Sequence, residues 1–422
     1  MSQTVVPSGS DQSLVMQSVG LFAANLMRKT GFNRMSGPMS KQTDAEGNIR
    51  MVSSNQRPIV RVQDLSVKAG GEVTFDLINP MQATPIMGDE IASGNGSKMS
   101  FSSDRLRINQ ARFPISAGGQ MTQQRTVHQL RALAQVQAKS IFERFTDQAC
   151  QVHLSGARGF HNDINWCIPL ASDARFSTIM TNTVRAPTRN RHFISTGSGI
   201  EQVPTSGYTI ATTDVLNAET VDGIATWLDG MSIPIPGVVF DNDEAASDSP
   251  LRVLMVSSEQ YNSFVQSTNF RTYQAQAIAR GQQAKNNPVF MNDALLWRGI
   301  LIIKQPRPIR FYPGDTVQWC ESTTSATETA GTIPALATGY AVDRAILLGG
   351  QALAEGYGKH KGSLGSFFTE EEWTDFHNQY EYLVGEIAGR SKIRFLVDHG
   401  DSIQYTDNGV AVFDTAVRLA GV

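Results

Sequence analysis

The sequence predicts a mixed α+β protein, and three observations carry that prediction. The interval from Gln120 to Ser155 contains neither Gly nor Pro and repeats apolar residues at spacings of three and four, the period of a helix with one covered stripe. Ahead of it, two segments alternate apolar and polar residues, the period of strands with one covered face. Behind it, short strand and helix signals follow one another with no tandem period.

Residues 1–70 read as an arm, polar and broken apart from "SLVMQSVGLFAANLMRKT". There Val15, Val19, Phe22 and Leu26 space one short amphipathic helix. Residues 71–117 read as an extended loop on a two-stranded stem. In "GEVTFDLINPM", Val73, Phe75 and Leu77 alternate with Glu72, Thr74 and Asp76; in "DRLRINQARF", Leu106 and Ile108 alternate with Arg105 and Arg107. The loop between them far exceeds the roughly 2 to 5 residues of a hairpin turn. It carries Met81, Ile86, Met87, Ile91, Met99 and Phe101 outward, and an isolated two-stranded ribbon cannot cover them. Either the loop folds back on its own domain or another copy covers it.

Residues 118–156 read as a single rod. Val127, Leu130, Ala134, Ala138, Ile141, Phe145, Ala149 and Val152 form the stripe, and an unbroken helix there would run roughly 50 Å. Three alanines in the stripe favour packing on a sheet over a coiled-coil seam. Within 157–345, "TTDVLNAETVDGIATWLDGM" reads as a helix capped by Thr213 or Asp214, and "LRVLMVS" as a buried strand. The latter leads into a helix at "SSEQYNSFVQST" capped by Ser257 or Ser258, and "LLWRGILIIKQP" gives another strand signal. Within 346–422, the acids of "TEEEWTD" suggest a helix start, and "DNG" marks a turn in an alternating terminal segment. No linker separates these parts, so the domains should interleave.

With 422 residues, a formal net charge of -3 and charged residues at 18%, the chain is long enough for a large core and light in charge. That balance argues against a dedicated nucleic-acid binder, which carries a basic stripe. Cys150, Cys167 and Cys320 show no CxxC spacing and fit a reducing interior rather than a disulfide or zinc framework. "MSQTVVPSGSDQS" lacks the pattern of a signal peptide, and no apolar run reaches the ~18 residues of a membrane span, so a soluble protein is expected.

A search for chemistry finds no active site. His153, His161 and Asp163 fall within one short reach, but no HExxH spacing appears, and ordinary hydrogen-bonded histidines at a helix end explain them better than a hydrolytic metal centre. There is no GxSxG elbow, and "GYGKHKGS" lacks the phosphate-loop spacing. The arginines of "RLRINQARF" and "QQRTVHQLRA" make a modest basic patch, matched by acids such as Asp89 and Glu90 on the same copy or the next. No cofactor, metal or catalytic residue is expected.

The order of parts resembles the major capsid proteins of tailed bacteriophages with the Hong Kong 97-type fold, in a podophage-type branch. The residues that carry it are Gly88-Asp89, Gly94-Asn95, "RINQARFPISAGGQMTQQRTVHQLRALA", "DQACQVHLSGARG", "NNPVFMNDALLWRGILI", "AILLGGQALAEGYG", "IAGRSKIRF" and "DNGVAVFDTAV". They cover most of the chain from about Val73 onward; the arm and 186–210 match nothing in it. The chain departs from the pattern at Gly96, Ser97 and Lys98, where acids usually follow the Gly-Asn pair, and no Lys–Asn cross-linking pair is identifiable.

The resemblance implies an arm beneath one neighbour, a loop over another, the rod as spine of a peripheral domain, and an axial domain at the centre of pentamers and hexamers. Implied partners are other copies of the chain, scaffolding, portal and decoration proteins, and packaged double-stranded DNA by non-specific contact. A virion location after synthesis in the bacterial cytoplasm follows. The alternatives are a protein nanocompartment shell of the same fold and a metal-dependent hydrolase built around His153, His161 and Asp163. Residues expected between copies are Phe75, Leu77, Met87, Asp89, Met99, Phe101, Arg105 and Arg107; those expected in the core under the spine are Val127, Leu130, Ile141, Phe145 and Val152.

Overall fold

The computed structural model describes residues 35, 39–43, 49–53, 57–62, 70–78, 85–88, 91, 93, 101–125, 129–163, 165–204, 207–231, 233–238, 251–272, 294–305, 307–360, 367–398 and 403–419. Val15, Val19, Phe22 and Leu26 lie outside them.

Strands β1 (Met39–Thr43), β2 (Ile49–Ser53) and β3 (Ile59–Val62) precede a ribbon of β4 (Glu72–Ile78) and β5 (Phe101–Arg107). Then β6 (Asn109–Gly119) leads through α1 (Gln120–Arg125) to the long helix α2 (Leu130–Ser155). After α3 (Phe176–Ile179) come β7 (His192–Ser195), β8 (Ile200–Gln202), α4 (Ala218–Asp229), β9 (Arg252–Val256) and α5 (Ser258–Gln266). Next are β10 (Ala294–Trp297), β11 (Ile300–Lys304), β12 (Ile309–Phe311), β13 (Thr316–Cys320), β14 (Glu328–Thr332) and β15 (Tyr340–Leu348). The last are β16 (Leu353–Tyr357), β17 (Phe367–Thr374), β18 (Gln379–Lys392), β19 (Arg394–Asp398), β20 (Ile403–Asp407) and β21 (Val410–Arg418).

Two mixed sheets organise these strands. One runs β1-β2-β3-β16-β18-β17 with β6 also on β18; the other runs β10-β11-β9-β15-β21-β7-β8 with β12 on β15. The second sheet packs α4 and α5 through Val221, Ile224, Leu228, Tyr261 and Phe264 against Leu254, Val256, Ile302, Leu347 and Phe413. The chain crosses from the second sheet to the first after β15 and returns before β21. Gly349 N–H donates to Gly409 O at 2.7 Å, so the two crossings are tied together.

Helix α2 lies on the first sheet. Ala138 and Phe142 meet Tyr380, Tyr382 and Val384 of β18 with Phe113 of β6 beside them, and Phe142 stacks edge-on with Phe367 at 5.3 Å. Further along, Phe145, Ala149 and Val152 close over Ile168 and Met180. Small alanines let the backbone approach while the aromatic rings fill the gaps between strands. Toward its end the helix is buried on every side, with Cys150 and Leu154 packed among Val253, Met255, Ile346 and Leu353 from both sheets. It stops at Gly156, whose φ of 70° is left-handed and whose N–H bonds Val152 O at 3.0 Å.

The expected single rod is corrected to two helices. α1 has 6 residues and α2 has 26, about 39 Å of helix, with Gln129 extended at φ -78°, ψ 91° before it. The described break is at Gln129, and α1 is fastened elsewhere: Gln120 N–H donates to Asn378 O at 3.0 Å.

Three further expectations are corrected. "TEEEWTD" forms β17 rather than a helix start, because β18 offers a full ladder in which Glu372 faces Glu381 and Trp373 faces Tyr380. "LLWRGILIIKQP" holds two strands, β10 and β11, joined at Arg298-Gly299. The cap of α4 is Asn217, which accepts from Thr220 N–H at 2.8 Å, while Asp214 accepts from Ala211 N–H at 2.7 Å in the preceding loop. Ser257 caps α5 in a capping box with Gln260.

Candidate assembly surfaces

The stem expected from alternation is the β4–β5 ribbon, with Glu72 opposite Arg107, Phe75 opposite Asp104 and Ile78 opposite Phe101. It ends earlier than "DRLRINQARF" suggests: after Arg107 the chain leaves the ribbon, and β6 joins β18 from Asn109. Strand parity divides the ribbon into two faces. Leu106 is buried and Phe75 half-buried against Ile393 and Phe395 of the same chain. Phe101, Ser103, Arg105 and Arg107 share the opposite face of β5, and all four are exposed.

The residues expected between copies therefore divide. Phe75 packs on its own chain; Arg105, Arg107 and Phe101 face outward, with Phe101 62% exposed. Met87 and Ile91 are 72% and 75% exposed. Asp89, Met99 and the side chain of Leu77 lie outside the described residues, although Leu77 itself pairs with Ser102.

Among the expected core residues, Phe145 and Val152 are buried, Leu130 and Ile141 are half-buried, and Val127 lies outside the described residues. Phe142, which the spacing of three and four passes over at Ile141, is fully buried. The stripe drifts by about one residue as α2 turns inward, so Phe142 rather than Ile141 meets β18.

The ribbon is rooted by charge. Asp104 accepts from Arg185 Nη1 and Nη2 at 3.1 and 2.8 Å and from Arg394 N–H at 3.0 Å. Beneath it, Lys392 Nζ and Arg394 Nε hold the carboxylate of Asp407 at 2.8 and 2.6 Å. Those two cations keep Asp407 ionised far below the usual carboxylate range despite its burial, and burial pushes Lys392 down to about 8.

Two more buried networks each stitch neighbouring strands within one sheet. Arg344 binds both oxygens of Asp414 at 2.7 and 2.8 Å, and the same carboxylate meets His192 and Tyr208. Arg390 lies between Glu355 and Glu386, each at 2.8 Å. Sequence reasoning did not single these residues out; their signal is a charge inside an apolar strand run, as in "VDRAILL" and "GRSKIRF".

The histidine cluster is not built as a metal centre. His161 Nδ1 sits 3.0 Å from Tyr312 Oη and 3.7 Å from Asp163. His153 is buried in the last turn of α2, where burial and the cations Arg390, Arg185 and Lys392 push its pKa down to about 3. Among the described residues no group of three His, Cys, Asp or Glu could hold a metal, and no described helix is long and apolar enough to cross a membrane.

At the far end of β18, the β17–β18 hairpin turns through Asp375, Phe376 and His377, and Phe376 is entirely exposed at 103%. Trp373 of β17 and Met121 of α1 are exposed as well.

A family model described as "Phage capsid protein" matches residues 5–419. Among solved structures, the capsid of Ralstonia phage GP4 is similar at TM-score 0.63 and 23% identity, covering 100% of both chains. The cyanophage Pam1 capsid gives 0.57 and 16% over 86% of this chain and 88% of the other. The head of Helicobacter pylori bacteriophage KHP40 gives 0.54 and 10% over 86% and 89%. No curated protein matches. These likenesses make the two-sheet architecture a phage capsid fold. Joined to the family match over nearly the whole sequence, they show that this chain belongs to the phage capsid protein family, a major capsid protein of the head shell rather than an enzyme.

Proposed function

We propose that the chain builds a closed icosahedral head by self-association into pentamers and hexamers, enclosing double-stranded DNA. The observation that carries this is uncovered apolar surface on the ribbon and its loop: Met87, Ile91 and Phe101 are 72%, 75% and 62% exposed, large apolar side chains that a contact with another copy would cover. Residues 1–70 act as an arm beneath one neighbour, 71–117 as a loop over another, and 118–156 as the spine of a peripheral domain. The second sheet, mainly from 157–345, serves as the axial domain, and 346–422 complete both.

An obligate contact of this kind buries roughly 2,000 Å² or more. Closed symmetry multiplies contacts per subunit, so each can be modest. The net charge of -3 suits a wall around DNA, since a strongly basic lining would hold phosphate. Scaffolding, portal and decoration proteins, assembly in the host cytoplasm and non-specific DNA contact belong to the same reading.

Negative-stain imaging and sedimentation of the purified chain across a concentration series test it. Closed particles or capsomers are expected. A monomer at every concentration and salt condition would overturn the reading.

A further inference from the structure

Where the second half of α2 crosses β6 and β18, the packing leaves a cleft of about 350 Å³. The segment 178–182 lines it too and is fastened by Asn182, which donates from Nδ2 to Arg107 O at 2.9 Å and Arg390 O at 3.0 Å and accepts from Arg107 N–H at 2.8 Å. Phe113, Phe145, Ala149 and Met180 give the cleft an apolar wall. A dry cavity of about 150 Å³ takes benzene, so this one has room for two fused rings.

Set into that wall is His153. It is 3% exposed and lines the cleft, yet among the described residues neither ring nitrogen has a hydrogen-bond partner. The charges near it are already matched: Arg390 is held by Glu355 and Glu386, Arg185 by Asp104, and Lys392 by Asp407. Those cations and burial keep the imidazole neutral. An ionic guest would therefore bring an unmatched charge into a desolvated site, whereas a neutral imidazole offers one acceptor and one donor to an uncharged guest.

We propose that this cleft binds a small uncharged aromatic molecule bearing one hydroxyl or N–H group, its rings against Phe113, Phe145 and Met180 and its polar hydrogen donated to His153. Water alone would serve the imidazole but leave the apolar wall without a partner. Gln110 and Thr178 line the cleft and are exposed, so a guest has a way in. The site needs no second copy of the chain and is independent of the shell reading above.

Equilibrium dialysis of the full chain against naphthol at neutral pH tests it. One naphthol per chain is expected, with naphthoate weaker by at least about tenfold. Thr178→Trp, a change at an exposed position, should fill the mouth and weaken naphthol by at least about tenfold while thermal unfolding stays in place. His153→Leu should lower the affinity ratio of naphthol to naphthalene about fivefold, the loss of one hydrogen bond, with naphthalene itself little changed. Cys167, half-buried on the same wall, reports locally: saturating naphthol should slow its alkylation by iodoacetamide.

If naphthol does not saturate, or if Thr178→Trp leaves it unchanged and Cys167 is not protected, the cleft holds water only and the inference falls. Naphthoate binding as tightly as naphthol overturns the uncharged guest, and an unchanged ratio in His153→Leu overturns the hydrogen bond to His153. Should His153→Leu fail to fold, Thr178→Trp and the protection of Cys167 decide the case. The shell reading stands under every one of these results.

Discussion

His153 shows how one buried side chain contributes to the chain's response to acid. It lies 3% exposed near the end of α2, and its pKa falls from an ordinary 6.5 to about 3. Below about pH 6.5 the unfolded chain binds a proton that the folded chain refuses, so stability declines as pH falls from there toward 3. The slope is about 1.4 kcal/mol per pH unit for one such group. His153→Gln should flatten that limb, as read from urea unfolding between about pH 7 and pH 4; an unchanged slope would mean that this histidine is not buried neutral. The sequence placed His153 at a helix end but not its role, because the cations beside it, Arg390, Arg185 and Lys392, come from segments far away in the chain.

Elements succeeded or failed according to how local their cause is. α5 was legible because its capping box, Ser257 with Gln260, lies within four residues. β17 was not, because only its register with β18 turns three consecutive acids into a strand. The link before β21 has both kinds of cause. "DNG" announces the turn, and Gly409 adopts φ 64°, but a Cβ there would lie 2.0 Å from Gly350 O on the companion crossing. Gly409→Ala should therefore cost at least about 2 kcal/mol, combining left-handed strain with the clash. Calorimetry measures it, and a loss within about 0.5 kcal/mol would show that the crossings are not locked together.

At the scale of the whole molecule, the two sheets hold the core while Met87, Ile91 and Phe101 of the ribbon and its loop stand exposed. Phe75 and Leu106 anchor the ribbon's inner face to Ile393 and Phe395, and Asp104 pins its root to Arg185. Replacing residues 79–100 with a short Asn-Gly turn should leave thermal unfolding nearly unchanged, since the anchors remain. Particles should then fail to close, as seen by electron microscopy; normal shells from the shortened chain would remove the loop from the assembly mechanism.

By itself the sequence determined the periodic parts: much of the apolar stripe of α2, the alternating ribbon, the Ser257 cap of α5 and the turn at "DNG". Each depends on residues a few positions apart, whose spacing fixes which side of a helix or strand they occupy. Tertiary structure alone decided that Phe142 replaces Ile141 under the sheet, that the rod divides before Leu130, and that Phe75 faces inward while Phe101 faces out. It also decided the pairing of Arg344 with Asp414 and of Lys392 with Asp407. Those outcomes depend on which distant surface arrives opposite a residue. A buried charge is tolerated only where its partner has been brought to meet it.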